Sequence, residues 1–119
     1  MLVVEDEQSI RDLVVYALSD EGHEVDEALD GRSALDLIAR RRPDVIILDM
    51  KMPGMDGWEF ARTYRERHGR QTPIIVFTAA LDAAARAAEV GADTFVSKPF
   101  DLDALIERVS AVARGVTTD

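Results

Sequence analysis

Val45-Ile46-Ile47-Leu48-Asp49 is a run of four apolar residues, three of them β-branched, that stops on an aspartate. A run without polar alternation reads as a strand buried on both faces, the pattern of a parallel sheet covered by helices. Aspartate is depleted in strands, so Asp49 at the end of this one is the least ordinary residue of the stretch. Two runs of the same kind lie on either side in sequence, Leu2 to Val4 and Ile74 to Phe77. His23 to Ala28 and Thr94 to Ser97 mix polar and apolar residues, as strands do where one side is less covered, and read as the sheet edges.

Helical patterns separate these strands. Ile10, Leu13, Val14, Ala17 and Leu18 form one apolar stripe that Gly22 stops. Asp30 is placed to cap a second helix whose inner face is Ala34, Leu35 and Ile38, and Arg40 to Arg42 form its solvated, dipole-favoured end. A third helix is expected over about Trp58 to Arg67 and a fourth over about Asp82 to Val90. The fourth is rich in alanine, with little to anchor it. The fifth carries Leu102, Leu105, Ile106, Val109 and Val112 at helical spacing, with Asp101 near its start. Five β-α units in succession predict a doubly wound, flavodoxin-like α/β fold, a five-stranded parallel sheet with five helices and right-handed crossovers. Placing the purely apolar strands centrally gives the order 2-1-3-4-5. The chain then leaves strands 1 and 3 in opposite directions, and a ligand is expected at their carboxyl ends.

The 119 residues suit a single domain, here residues 1–114 with a tail at 115–119, and 47% apolar with 31% charged residues is a globular balance. With no cysteine, disulfides and thiolate metal sites are excluded. No apolar run reaches membrane-spanning length and no signal-peptide pattern opens the chain, so the cytoplasm is the expected compartment. A net charge of −9 repels nucleic acid and anionic lipid, and favours cations and basic protein surfaces.

At the carboxyl ends of the expected strands stand Glu5 and Asp6, Asp49, Thr78 and Lys98. Three carboxylates gathered in one crevice repel by about 4 kcal/mol per pair at ~4 Å and an effective dielectric near 20, so positive charge must sit among them. Hard oxygen donors without cysteine or clustered histidine point to Mg²⁺, with Mn²⁺ as an alternative. A carboxylate so placed can attack phosphorus to give an acyl phosphate, with metal and Lys98 neutralising the transferring oxygens and Thr78 offering a hydroxyl. Taken singly, each residue has a plainer reading: Glu5 or Asp6 as a helix cap, Thr78 as a strand end, Lys98 as a surface lysine. Their convergence at the ends of four strands favours chemistry.

Nearly the whole chain resembles the receiver domain of two-component response regulators. The matching stretches are Leu2-Val3-Val4-Glu5-Asp6-Glu7, Asp44 through Gly57, Phe77-Thr78-Ala79, Gly91-Ala92-Asp93 and Lys98-Pro99-Phe100. The resemblance implies that Asp49 takes a phosphoryl group from a sensor histidine kinase or phosphotransfer protein, in a reaction the domain itself largely catalyses. It implies Mg²⁺ held by Glu5, Asp6, Asp49 and the backbone carbonyl of Lys51, and a cis peptide before Pro99. Lys51, two positions after the acceptor, is expected to influence access of water to the acyl phosphate. The resemblance also implies a switch in which Thr78 moves toward the phosphoryl group and Phe95 turns inward, altering the face made by the fourth helix, fifth strand and fifth helix. Phe95 has no hydroxyl, where many relatives carry tyrosine, so packing alone serves this step.

Three rival readings meet obstacles in particular residues. A phosphatase of the haloacid dehalogenase type needs a second aspartate where Lys51 stands. A flavodoxin-like flavin site wants a phosphate loop where Glu5, Asp6 and Glu7 would repel it. A phosphorylation-independent receiver-like interaction module would not need the intact acids, Thr78 and Lys98. Gly91-Ala92-Asp93-Thr94-Phe95 departs from the Gly-Ala-Asp-Asp-Tyr run of winged-helix regulators, so their dimer is not carried over; a monomer or a phosphorylation-dependent dimer is expected, with the output partner open. The abrupt start at the first strand suggests trimming, yet a stand-alone receiver and a piece of a longer regulator both fit. His23 and His68 lack ligand-spaced companions and are read as incidental; the four methionines are given structural roles.

Overall fold

Strands and helices alternate from end to end of the computed structural model, which describes residues 1–50, 52, 54–69, 72–79, 83–98 and 101–114. The strands are β1 (Leu2–Val4), β2 (Asp26–Ala28), β3 (Ile46–Asp49), β4 (Ile74–Ala79) and β5 (Thr94–Lys98). The helices are α1 (Gln8–Asp20), α2 (Gly31–Arg40), α3 (Gly57–His68), α4 (Ala83–Val90) and α5 (Leu102–Ala113). All strand pairs are parallel and the order is β2-β1-β3-β4-β5, as the apolar runs predict.

The unbroken apolar runs exist because the sheet has two covered faces. Alternate residues Val4, Ile46, Leu48, Ile74 and Val76 pack under α2, α3 and α4 with Leu35, Ile38, Phe60 and Tyr64. Their neighbours Val3, Ile47, Ile75, Phe77 and Val96 pack under α1 and α5 with Val14, Leu18, Leu105 and Val109. Each such side chain taken from water contributes roughly 1.5–3 kcal/mol, which is why the central strands need no polar alternation.

The second strand is shorter than the sequence suggests. Only Asp26, Glu27 and Ala28 pair, opposite Leu2, Val3 and Val4, while His23 to Val25 lie ahead of the strand. The reason is the partner: β1 is three residues long and offers no ladder beyond them. The start expected for the fourth helix, Asp82, falls outside the described residues, as does the tail at 115–119.

Caps follow the expected chemistry. Asp30 Oδ1 accepts the Ser33 N–H at 2.8 Å, Asp56 Oδ1 that of Glu59 at 2.9 Å, and Asp101 Oδ1 that of Asp103 at 2.9 Å. The bonds from the Ser33 backbone and side chain hold the Asp30 carboxyl below its ordinary pKa. Replacing Asp30 with alanine should therefore cost about 1 kcal/mol at neutral pH. A group whose folded pKa is depressed stabilises above its unfolded value near 3.9 and loses that contribution as pH falls through the folded one. Urea midpoints of wild type and Asp30→Ala should thus differ at pH 7 and converge toward pH 3.

The alanine-rich α4 is held more firmly than its sequence implies. Ala83, Ala87 and Val90 are buried, and a polar clasp joins the helix to α3. Trp58 donates its indole N–H to Glu89 Oε1 at 2.9 Å. Arg86 pairs with the same carboxylate at 2.8 Å and stands 5.4 Å from the centre of the Trp58 ring, a cation–π arrangement. Just past the helix, the Gly91 carbonyl accepts Arg65 Nη2 at 2.9 Å.

Candidate functional site

Four strands end at one edge of the sheet, and each delivers a predicted residue there. Glu5 and Asp6 come directly after β1, Asp49 is the last residue of β3, Thr78 lies at the end of β4, and Lys98 ends β5. One carboxylate oxygen from each of Glu5, Asp6 and Asp49 lies within 4.8 Å of the others. Glu5 and Asp49 are almost fully enclosed, at 1% and 3% exposure, while Asp6 is open to solvent. Thr78 is buried as well, at 2%.

Asp6 does not use its carboxylate as a side-chain cap on α1, and Glu5 uses one oxygen only. The N-cap position is Glu7, which makes no side-chain cap bond, and Glu5 Oε2 accepts the Glu7 N–H at 3.1 Å. The plainer helix-cap reading accounts for one oxygen of Glu5; its other oxygen, Oε1, is held by Lys98.

Lys98 is the counter-charge. Its Nζ donates to Glu5 Oε1 at 2.9 Å and lies 3.5 Å from Asp49 Oδ1. Burial pushes the Glu5 carboxyl up, the Asp49 charge adds to this, and the bonds from Lys98 and Glu7 oppose it, leaving a pKa of about 7. Burial works against the Lys98 ammonium, but the Glu5 bond and the Asp49 and Glu5 charges outweigh it and raise its pKa above the ordinary lysine value. Desolvation is the larger part of the Glu5 rise; the shortage of positive charge follows from the count, three carboxylates facing one ammonium.

Two supporting residues carry no signal of their role in the local sequence. Phe77 places its ring 4.6 Å from Lys98 Nζ, so the ammonium faces an aromatic ring as well as the acids. The apolar strand pattern gives no sign of this second duty. Gly57, at the start of α3, donates its N–H to the Met50 carbonyl at 3.1 Å. A Cβ there would stand 2.6 Å from Met50 Sδ, 2.7 Å from Met50 Cα and 3.1 Å from the Asp49 carbonyl oxygen. Only glycine lets the helix start this close to the backbone leaving Asp49. Gly57→Ala is expected to cost about 2 kcal/mol through overpacking and to weaken Mg²⁺ binding, read as a lower urea midpoint and a higher Mg²⁺ midpoint.

Lys51 and the Lys98–Pro99 peptide bond involve residues outside those described. Among the described residues the three acids form the one cluster with metal-ligand spacing, and neither histidine joins it. The set fits Mg²⁺ or Mn²⁺: three hard oxygen donors, two of them enclosed, in a pocket that one ammonium leaves negative. Among the described residues no helix is long and apolar enough to cross a membrane.

Comparison with known proteins agrees with this geometry. The family profile described as Response regulator receiver domain matches residues 1–110. Response regulator MprA of Mycolicibacterium vanbaalenii is 43% identical over 121 aligned residues, covering 100% of this chain and 52% of the relative. The protein of the same name from Mycobacterium avium is 41% identical over 116 residues, 96% of this chain and 50% of its own. The chain thus spans about half the length of the curated relatives it matches. Among solved structures, the receiver domain of NtrX from Brucella abortus superposes with a TM-score of 0.86 at 37% identity, covering 98% of both chains. Chemotaxis protein CheY4 of Vibrio cholerae gives a TM-score of 0.83 at 37% identity, over 93% of this chain and 95% of that one. With the fold, the acidic crevice and the sequence profile in agreement, this chain belongs to the response regulator receiver domain family.

Proposed function

We propose that the domain is a phosphorylation switch. Asp49 accepts a phosphoryl group from a phosphohistidine on a sensor histidine kinase or phosphotransfer protein, and the face made by α4, β5 and α5 carries the signal onward. The observation that supports this most directly is the placement of Lys98 Nζ, 2.9 Å from Glu5 and 3.5 Å from Asp49, beside an exposed Asp6. A structural ion pair would need one acid. Three acids and one ammonium at the open end of a sheet suit a charge that arrives from outside.

Asp49 Oδ forms the new bond to phosphorus while the P–N bond to the donor imidazole breaks; the imidazole leaves with the electron pair, neutral because its other ring nitrogen has already taken a proton from solvent. Lys98 remains within reach of the acceptor and offsets charge on one transferring oxygen. The Thr78 hydroxyl donates to another. Mg²⁺ or Mn²⁺, held when bound by Glu5, Asp6, Asp49 and the Lys51 carbonyl, supplies the remaining positive charge at the phosphoryl oxygens. The acceptor is the protein itself, so the chemistry is one transfer and a later self-catalysed hydrolysis, not turnover of a free substrate. The regulator's own location is proposed to be the cytoplasm.

Thr78 also supports the output reading. It pairs in register with Ser97, and Phe95 with Val76, whose side chain belongs to the cluster under α4. Thr78 and Phe95 therefore emerge on the same face, and a threonine drawn toward Asp49 leaves room that the Phe95 ring can enter.

Incubation with acetyl phosphate or phosphoramidate, with intact mass as the readout, tests the proposal. One added phosphoryl group is expected with Mg²⁺ and none after chelation. Steady release of phosphate from ordinary phosphomonoesters would favour a phosphatase instead, and no addition under any condition would leave an interaction module.

A further inference from the structure

Arg108 reaches from α5 across the open edge of the sheet and makes three contacts at one place. Its Nη1 donates to the Phe95 carbonyl at 2.8 Å and to Thr94 Oγ1 at 2.9 Å. Its guanidinium carbon also stands 5.6 Å from the centre of the Phe95 ring. β5 is the last strand of the sheet and pairs with β4 alone, and on this edge strand the Phe95 carbonyl is taken up by Arg108. The ring itself is half-buried against the cluster that includes Ala87 and Val90 of α4. One side chain of α5 thus grips both the backbone of β5 and an aromatic ring lying under α4.

The contacts differ in what they depend on. Both hydrogen bonds go to groups that stay put when the Phe95 side chain rotates. The cation–π contact exists only while the ring keeps its present orientation. Arginine suits the double task because its planar fork can bond an edge carbonyl while its face lies on a ring.

We propose that Arg108 is a restraint on the switch, holding the Phe95 ring in its resting orientation and setting how readily the domain passes to the active one. This deepens the function proposed above and rests on it. Phenylalanine has no hydroxyl with which to mark one state by a hydrogen bond, so the guanidinium supplies the preference that packing alone leaves weak. A contact of this kind at a partly exposed site changes a two-state equilibrium about two- to fivefold.

The test uses the full chain labelled with fluorophenylalanine, whose four phenylalanines give four ¹⁹F signals. The signal missing in Phe95→Leu identifies Phe95. In ligand-free protein, Arg108→Ala should move that signal toward the position it takes with beryllofluoride and Mg²⁺. The beryllofluoride midpoint should fall about two- to fivefold. In a Phe95→Leu background, Arg108→Ala should leave the midpoint unchanged, whereas a general charge effect would persist there. Arg108→Gln, which keeps a donor for the edge carbonyl and loses the cation, should act like alanine on the ring and serves if the alanine variant folds poorly.

An unmoved ligand-free Phe95 signal in the arginine variants, or a midpoint shift that survives in Phe95→Leu, would overturn the role of Arg108. A wild-type protein that takes no beryllofluoride would overturn the acceptor reading of Asp49 and this restraint with it. Binding in wild type with no change in the variants would remove the restraint alone.

Discussion

Replacing Asp49 with asparagine is expected to abolish phosphoryl addition by acetyl phosphate and to weaken Mg²⁺ binding at least about tenfold. The first effect is chemical: an amide does not form the acyl phosphate that a carboxylate does. The second is electrostatic. Asp49 and Glu5 bring two enclosed carboxylates within 4.8 Å of each other. Unit charges at that spacing interact by about 3 kcal/mol at an effective dielectric near 20, and the same field attracts a divalent ion. Intact mass reads the first effect and Mg²⁺ titration of Trp58 fluorescence the second. Retention of one phosphoryl group in Asp49→Asn would place the acceptor elsewhere. Unchanged Mg²⁺ affinity would remove Asp49 from the metal site.

Lys98→Met should destabilise the metal-free protein. Methionine keeps much of the stem's length but withdraws the ammonium from Glu5, Asp49 and the Phe77 ring. Breaking a fully buried pair costs about 3–5 kcal/mol. Lys98 keeps 25% exposure, and Glu5, with a pKa of about 7, can take up a proton, so about 2 kcal/mol is expected. For a domain of this size that is a fall in Tm of roughly 6–10 °C. Saturating Mg²⁺ should recover much of it, since the ion meets the same acids. Phosphoryl addition should slow by about 10²-fold even with Mg²⁺, because a charged donor to the transferring oxygens is gone. A melting temperature within a degree of wild type would show that Lys98 behaves as an ordinary surface lysine.

The sheet is legible in the sequence because burial on two faces leaves a plain mark. Val45 to Leu48 and Ile74 to Phe77 fit central strands and little else, and the strand order comes from which runs are pure and which are mixed. The second strand reads too long from its own residues because its length is set by β1. The acidic site is legible residue by residue, since each member stands at the end of a strand. Its pairing is not: nothing local tells Lys98 to bond Glu5 more closely than Asp49. The Trp58–Glu89–Arg86 clasp and the grip of Arg108 on Phe95 are invisible for a related reason. Lateral contacts between elements depend on how helices cross and how far side chains reach, and spacing along one element does not encode that.

Glu5 and Lys98 stand 93 residues apart along the chain. Their contact closes a loop that contains almost every other element, so the crevice is complete only when the last strand has docked. A nascent or partly unravelled molecule would present the acids without their ammonium. The architecture therefore carries its own quality control: the acids gain their counter-charge in the same closing step that completes the sheet.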